Sequence, residues 1–185
     1  LIPFIPQTPE LFKVFSFQPP IVALSIAPIR TRPRRTYDEI TEEFNPEGDH
    51  LIFALARILS DKLLTEQKTT LVEALVRFGE QAGLFKKVDI KKLGDSLADP
   101  FQIMVTTNGI PANLIDVGYG VSQALPVVVQ SMLAAKEQML LLQQPEVHLH
   151  PKAQAALGSF FVDLVASGNK EFVVETHSDY KTSIR

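Results

Sequence analysis

Two short apolar runs, one helix-length apart, restrict what this chain can fold into more than any other feature. Met139–Leu142 is continuously apolar, and so is Phe172-Val173-Val174. Between them Ala153, Leu157, Phe160 and Leu164 fall on one stripe of a helix predicted from Pro151 to Ser167 and ended by Gly168-Asn169. Continuous apolar strands suit a parallel sheet covered on both faces. A strand, a helix and a strand in this order form a right-handed parallel crossover, the unit of an α/β fold. Ligands of such sheets gather at the carboxyl ends of the strands. Those ends carry Gln143, Gln144, Pro145 and Glu146 on one strand and Glu175, Thr176, His177 and Ser178 on the other. Topology alone therefore brings two polar clusters together.

The region before this unit reads differently. Residues 1–20 hold Pro3, Pro6, Pro9, Pro19 and Pro20 and form an irregular segment, because each proline fixes φ and removes a backbone donor. Ile21–Ile26 reads as a short buried strand, followed by the basic loop Arg30-Thr-Arg-Pro-Arg-Arg35. A helix is predicted from Asp49 to Leu59, capped by Asp49 after Gly48, with Leu51, Leu55 and Ile58 inward. A second runs from Thr70 to Ala82, with Leu71, Leu75 and Phe78 inward, and stops at Gly83. Phe101–Thr107 alternates as a half-exposed strand, and Asn108-Gly109 turns it into Ala112–Ile115. Ser122–Ala135 reads as a helix with Leu125, Val128, Val129, Met132 and Leu133 at helical spacing and Pro126 in its first turn. The chain thus divides into 1–20, a strand, loop, helical and hairpin region over 21–112, and a lobe over 113–185.

Composition narrows the function classes. With 185 residues, 45% hydrophobic and 21% charged, the chain can bury one substantial core. A net charge of −3 gives no global attraction to nucleic acid, although a local patch can still bind it. No cysteine means no disulfide framework and no thiolate metal site, which suits a reducing, cytoplasmic setting. No apolar run approaches the roughly 20 residues that cross a bilayer, so no membrane partner is expected. Leu1-Ile-Pro-Phe-Ile-Pro has neither an initiator Met nor the basic region of a secretory signal. Together with the ending Tyr180–Arg185, this reads as a fragment or as joined segments.

Three ordered motifs carry a family resemblance. Gln143-Gln-Pro-Glu-Val-His-Leu-His-Pro151 resembles the acidic strand-end segment of ABC-type ATPases related to the OLD family and, more distantly, to SMC proteins. Thr176-His177-Ser178 resembles their switch-histidine motif, and Asn113–Gln123 resembles their signature. Ala27-Pro-Ile-Arg30 is similar to a further loop of the same group. The resemblance implies part of a P-loop NTPase (ABC-ATPase-like) fold, with parallel strands flanked by helices and a helical and hairpin insertion. It also implies ATP and Mg²⁺ as cofactors and a nucleotide-gated homodimer. A bacterial defence or DNA-processing system, with an effector protein as a further partner, comes from that association alone.

Roles for single residues follow from the resemblance. Gly118, Gly120, Ser122 and Gln123 form the signature, where glycines and free N–H groups at a helix start favour an anion. Ser122 is the hydroxyl contact to a nucleotide held by the other subunit; its plainer role is a helix N-cap. Gln143 stands at the position of the Mg²⁺-organising carboxylate, and Gln144 at or near that of the water-polarising residue. An amide can accept a hydrogen bond but carries no charge and cannot act as a general base. Weak metal retention and slow or absent hydrolysis follow. Relatives often carry Gln at the second position, so Gln143 is the sharper departure. It reflects natural degeneration, an engineered change that traps nucleotide, or transfer of the acidic role to Glu146, whose plainer role is to cap the Pro151 helix. His177 is placed to donate to a γ-phosphate and so to distinguish ATP from ADP.

Rival chemistries follow from the same residues. No G-x-x-x-x-G-K-[ST] occurs, so the phosphate-cradling loop was deleted, is disordered, lies on another chain, or ATP binding has been lost. In the last case the chain is a non-catalytic assembly or scaffold protein that keeps the dimer surface. Glu146, His148 and His150 alternate and, with His177, are also compatible with a metallohydrolase. Four arginines between Arg30 and Arg35 serve either a nucleic-acid backbone or intramolecular ion pairs.

Overall fold

The computed structural model of the chain describes residues 22–38, 43–61, 63–95, 99–136, 138–167 and 170–177. The proline-punctuated residues 1–20, the Gly168-Asn169 stop, Ser178 and the ending 180–185 lie outside the described residues. Strand β1 (Val22–Ile26) pairs in parallel with β5 (Gln138–Gln143), which pairs in parallel with β6 (Glu171–Glu175). Between β5 and β6 runs a helix from Pro151 to Ala166 (α4 below), so the predicted crossover is present. A second sheet is antiparallel and contains β2 (Lys87–Lys92), β3 (Phe101–Thr106) and β4 (Pro111–Asn113). Helices α1 (Asp49–Ser60), α2 (Thr65–Ala82) and α3 (Tyr119–Leu133) complete the order, with a short 3-10 turn at Leu114–Asp116 before α3. A mixed α/β architecture with a parallel three-stranded sheet flanked by helices agrees with the P-loop NTPase-like expectation.

Each helix buries most of the stripe its sequence announces; Leu164 of α4 and Met132 of α3 are only half-buried, and Leu133 at the end of α3 is exposed. Leu51, Leu55 and Ile58 of α1, Leu71, Leu75 and Phe78 of α2, and Ala153, Leu157 and Phe160 of α4 are all in the core. In α3 every residue from Val121 to Ser131 is buried, so this helix runs through the interior rather than over it. The sheet is less symmetric than its apolar strands predict. Leu140 and Leu142 are buried and Phe161 of α4 packs at a tilt against Phe172 with centroids 5.0 Å apart, whereas Val173, facing the other side, is 54% exposed. Among the described residues only one face of the sheet is packed tightly.

Several boundaries differ for physical reasons. Helix α1 is preceded by Gly48 at φ 86°, and Asp49 makes no side-chain cap; its carboxylate instead meets Arg34 at 3.4 Å. Gly48 is needed there because a left-handed backbone disfavours a Cβ. Helix α2 starts at Thr65, five residues before the predicted Thr70, and stops at Gly83, as expected. Helix α3 starts at Tyr119 rather than Ser122, with Gly118 as its N-cap. Pro126 therefore lies inside the helix and cannot donate to the Ser122 carbonyl. Strand β2, Lys-Val-Asp-Ile-Lys-Lys, carries only the short apolar alternation of Val88 and Ile90; its antiparallel register with β3 makes it a strand.

Candidate functional site

The site is built on the paired ends of β5 and β6. Parallel register sets Gln143 beside Glu175, and one residue later the Gln144 N–H donates to the Glu175 carbonyl at 2.8 Å. The chain then reverses in a tight turn, with Gln144 at φ 43° and His148 at φ 68°. Two non-glycine residues in the left-handed region within five positions mark a turn held by its surroundings, since each costs on the order of 1–3 kcal/mol. The holds are visible. The Gln144 carbonyl accepts from Val147 N–H at 3.1 Å and from the Arg30 Nη2 at 3.2 Å, and Leu149 N–H donates to the Glu146 carbonyl at 3.0 Å.

Glu146 ties the turn to β6. Thr176 Oγ1 donates to its Oε1 at 2.6 Å, and the His177 backbone N–H donates to the same oxygen at 3.0 Å. The carboxylate does not cap α4. That cap is His150, whose Nδ1 accepts from Ala153 N–H at 3.3 Å. His148 packs edge-on against Tyr119, with ring centroids 4.8 Å apart, so the strand-end turn touches the start of α3 within one chain. Among the described residues no group of three or more His, Cys, Asp or Glu is placed to hold a metal ion.

The predicted residues thus fall into two groups. Gln143, Gln144, Glu146 and His177 share the strand ends, with Gln143 and His177 exposed and Gln144 and Glu146 half-buried. Gly118, Gly120, Ser122 and Gln123 occupy the first turns of α3. Ser122 is not an N-cap: it is buried, its hydroxyl donates to the Tyr119 carbonyl at 2.8 Å, and it lines a shallow depression with Thr31, Arg32, Glu47 and Asp49. Gln123 is fully buried, with neither side-chain atom hydrogen-bonded among the described residues. A Cβ on Gly120 would stand 3.0 Å from the His148 carbonyl oxygen, so this glycine permits the close approach.

Arg30 is the residue sequence reasoning undervalued. It is 1% exposed, and only its Nη2 is hydrogen-bonded; Nε and Nη1 are buried without partners among the described residues. Burial lowers its pKa to about 10, opposed by the nearby Glu146 carboxylate and by Tyr119, so it remains a cation at neutral pH. Its neighbours in the basic loop behave otherwise. Arg35 binds Asp116 through two contacts of 2.9 and 2.6 Å, and Arg34 meets Asp49. The signal that could have set Arg30 apart is its place in Ala27-Pro-Ile-Arg30, outside the charged alternation that follows.

This donor set suits phosphate oxygens better than a divalent cation. Gly118 makes no side-chain cap and has open space where a Cβ would stand, so the Tyr119 and Gly120 N–H groups at the start of α3 have no side-chain acceptor among the described residues, while the Val121 N–H donates to the Gly118 carbonyl at 3.0 Å. For Mg²⁺ the fit is poor: Gln143 is neutral and Oε1 of Glu146 is taken by Thr176 and His177, so beside Gln143 only the exposed Glu175 carboxylate faces the strand end among the described residues. Against known proteins, a family model described as an AAA ATPase domain matches residues 14–181. No curated protein matches the chain.

Proposed function

The chain belongs to the AAA ATPase domain family, an ATPase-type module, and from that premise we propose that it is a nucleotide-gated dimer module that binds ATP and turns it over slowly or not at all. The observation that carries this reading is the strand-end group itself. Glu146 joins β5 to β6 at Thr176 and His177, while the two positions expected to be acidic are Gln143 and Gln144. Such a group can recognise a phosphate without the charge needed to activate water. ATP would be held by the His177 end of one subunit and by the start of α3 of the other, through Gly118, Gly120 and Ser122. Because the hydroxyl of Ser122 is spent on the Tyr119 carbonyl, the α3 contribution rests first on backbone N–H groups. Following the resemblance, the setting we propose is a bacterial defence or DNA-processing system, in which an effector reads the dimer.

Light scattering on the purified chain with ATP, ADP and no nucleotide tests this. ATP-dependent dimerisation, abolished by His177→Ala and weakened by Ser122→Ala, is expected. A dimer that forms equally without nucleotide favours the scaffold reading, and a monomer under all three conditions overturns the proposal.

A further inference from the structure

A buried cation with two idle donors is unusual, because an unmade hydrogen bond on a charged group is costly. Arg30 is in that state directly beneath the strand-end turn, held among the described residues only to the Gln144 carbonyl. The nearby carboxylate whose field it feels is that of Glu146, now engaged by Thr176 and His177. Those two partners are exposed, so whatever takes them over releases the carboxylate beside an unsatisfied guanidinium.

We propose that Glu146 exchanges between two holds, the Thr176–His177 end of β6 and the idle N–H groups of Arg30, making Arg30 the positioning residue that frees the β6 end for a phosphate. The idea rests on the nucleotide reading above and extends it, giving that site an internal competitor and a release. In the unliganded chain Glu146 fills the place of the anion. When a phosphate group accepts from Thr176 and His177, the carboxylate turns to Arg30, whose Nε and Nη1 gain the acceptor they lack. The released form is binding-competent, and Arg30 sets its population.

Hydrogen exchange of the His177 amide, without nucleotide, separates this role from a structural one. In Arg30→Met the carboxylate has nowhere else to go, so the amide should exchange several-fold more slowly than in the wild type. If Arg30 only braces the Gln144 turn, its loss loosens the turn and exchange quickens. Faster or unchanged exchange therefore overturns the proposal. Arg30→Gln, which keeps a donor for the Gln144 carbonyl but no charge, gives the same sign and serves if the methionine variant does not fold. In a second arm, Arg30→Met weakens binding of a fluorescent ATP analogue about tenfold, and adding Glu146→Ala restores the affinity of Glu146→Ala alone. An Arg30→Met penalty that persists without Glu146 overturns the coupling. Failure of the wild type to bind the analogue refutes the nucleotide reading, and the exchange arm still decides the role of Arg30.

Discussion

Placing an acid at the end of β5 should make that strand end responsive to a divalent metal. Gln143 is exposed at the last position of β5 and is the register partner of Glu175 on β6. Gln143→Glu therefore sets two carboxylates on adjacent parallel strands, about 5 Å apart at the backbone. In a water-like dielectric, unit charges at that distance repel by about 0.8 kcal/mol, and salt reduces this further. The metal-free variant should lose less than about 1 kcal/mol of stability. The same pair forms a site for a hard divalent cation that the wild-type amide does not offer. A cation at 100 times its dissociation constant adds about 2.7 kcal/mol to the folded state. Urea unfolding of both proteins, with and without Mg²⁺ or Mn²⁺, reads the effect without depending on nucleotide. The variant's midpoint should rise with metal while the wild type's stays in place. An equal response of the wild type, or no response of the variant, would refute the assignment of position 143 to metal organisation.

Two further predictions concern the frame around the site. A Cβ on Gly79 would stand 2.4 Å from both a Phe85 ring carbon and the Phe85 carbonyl oxygen. Gly79→Ala should destabilise by about 1–2 kcal/mol, overpacking outweighing a gain in helix propensity of about 1 kcal/mol; a variant as stable as wild type in urea would show that the loop after α2 gives way freely. Burial lowers the pKa of His50, whose Nδ1 accepts from the Asn45 N–H at 3.2 Å. The folded state thus holds the neutral imidazole, so this contribution is full above the unfolded histidine value near 6.5 and is lost as pH falls toward the folded value. Melting temperature should drop on acidification below about pH 6.5, and His50→Gln should flatten the slope in that window. An unchanged slope would remove His50 as its source.

The amino-acid sequence determined the crossover by itself, because apolar periodicity is local and a strand-helix-strand order leaves one handedness. It also located the polar strand ends, since residues after an apolar run must leave the sheet where the run stops. Covalent order could not reveal which side chains meet. Arg30 and Gln144 are 114 positions apart, and the burial that distinguishes Arg30 from Arg34 and Arg35 arises only once its loop lies under the β5 turn. The partners of Glu146 are likewise non-local: of its two readings in the sequence, a substitute acid or an α4 cap, the cap is taken by His150, and β6 claims the carboxylate. Strand β2 became a strand because β3 lay beside it, and Pro126 fell inside α3 because Gly118, not Ser122, turns the chain into that helix. Patterning within a segment is fixed by backbone geometry. Contacts between segments, and therefore the state of the site, depend on a packed arrangement that no single segment encodes.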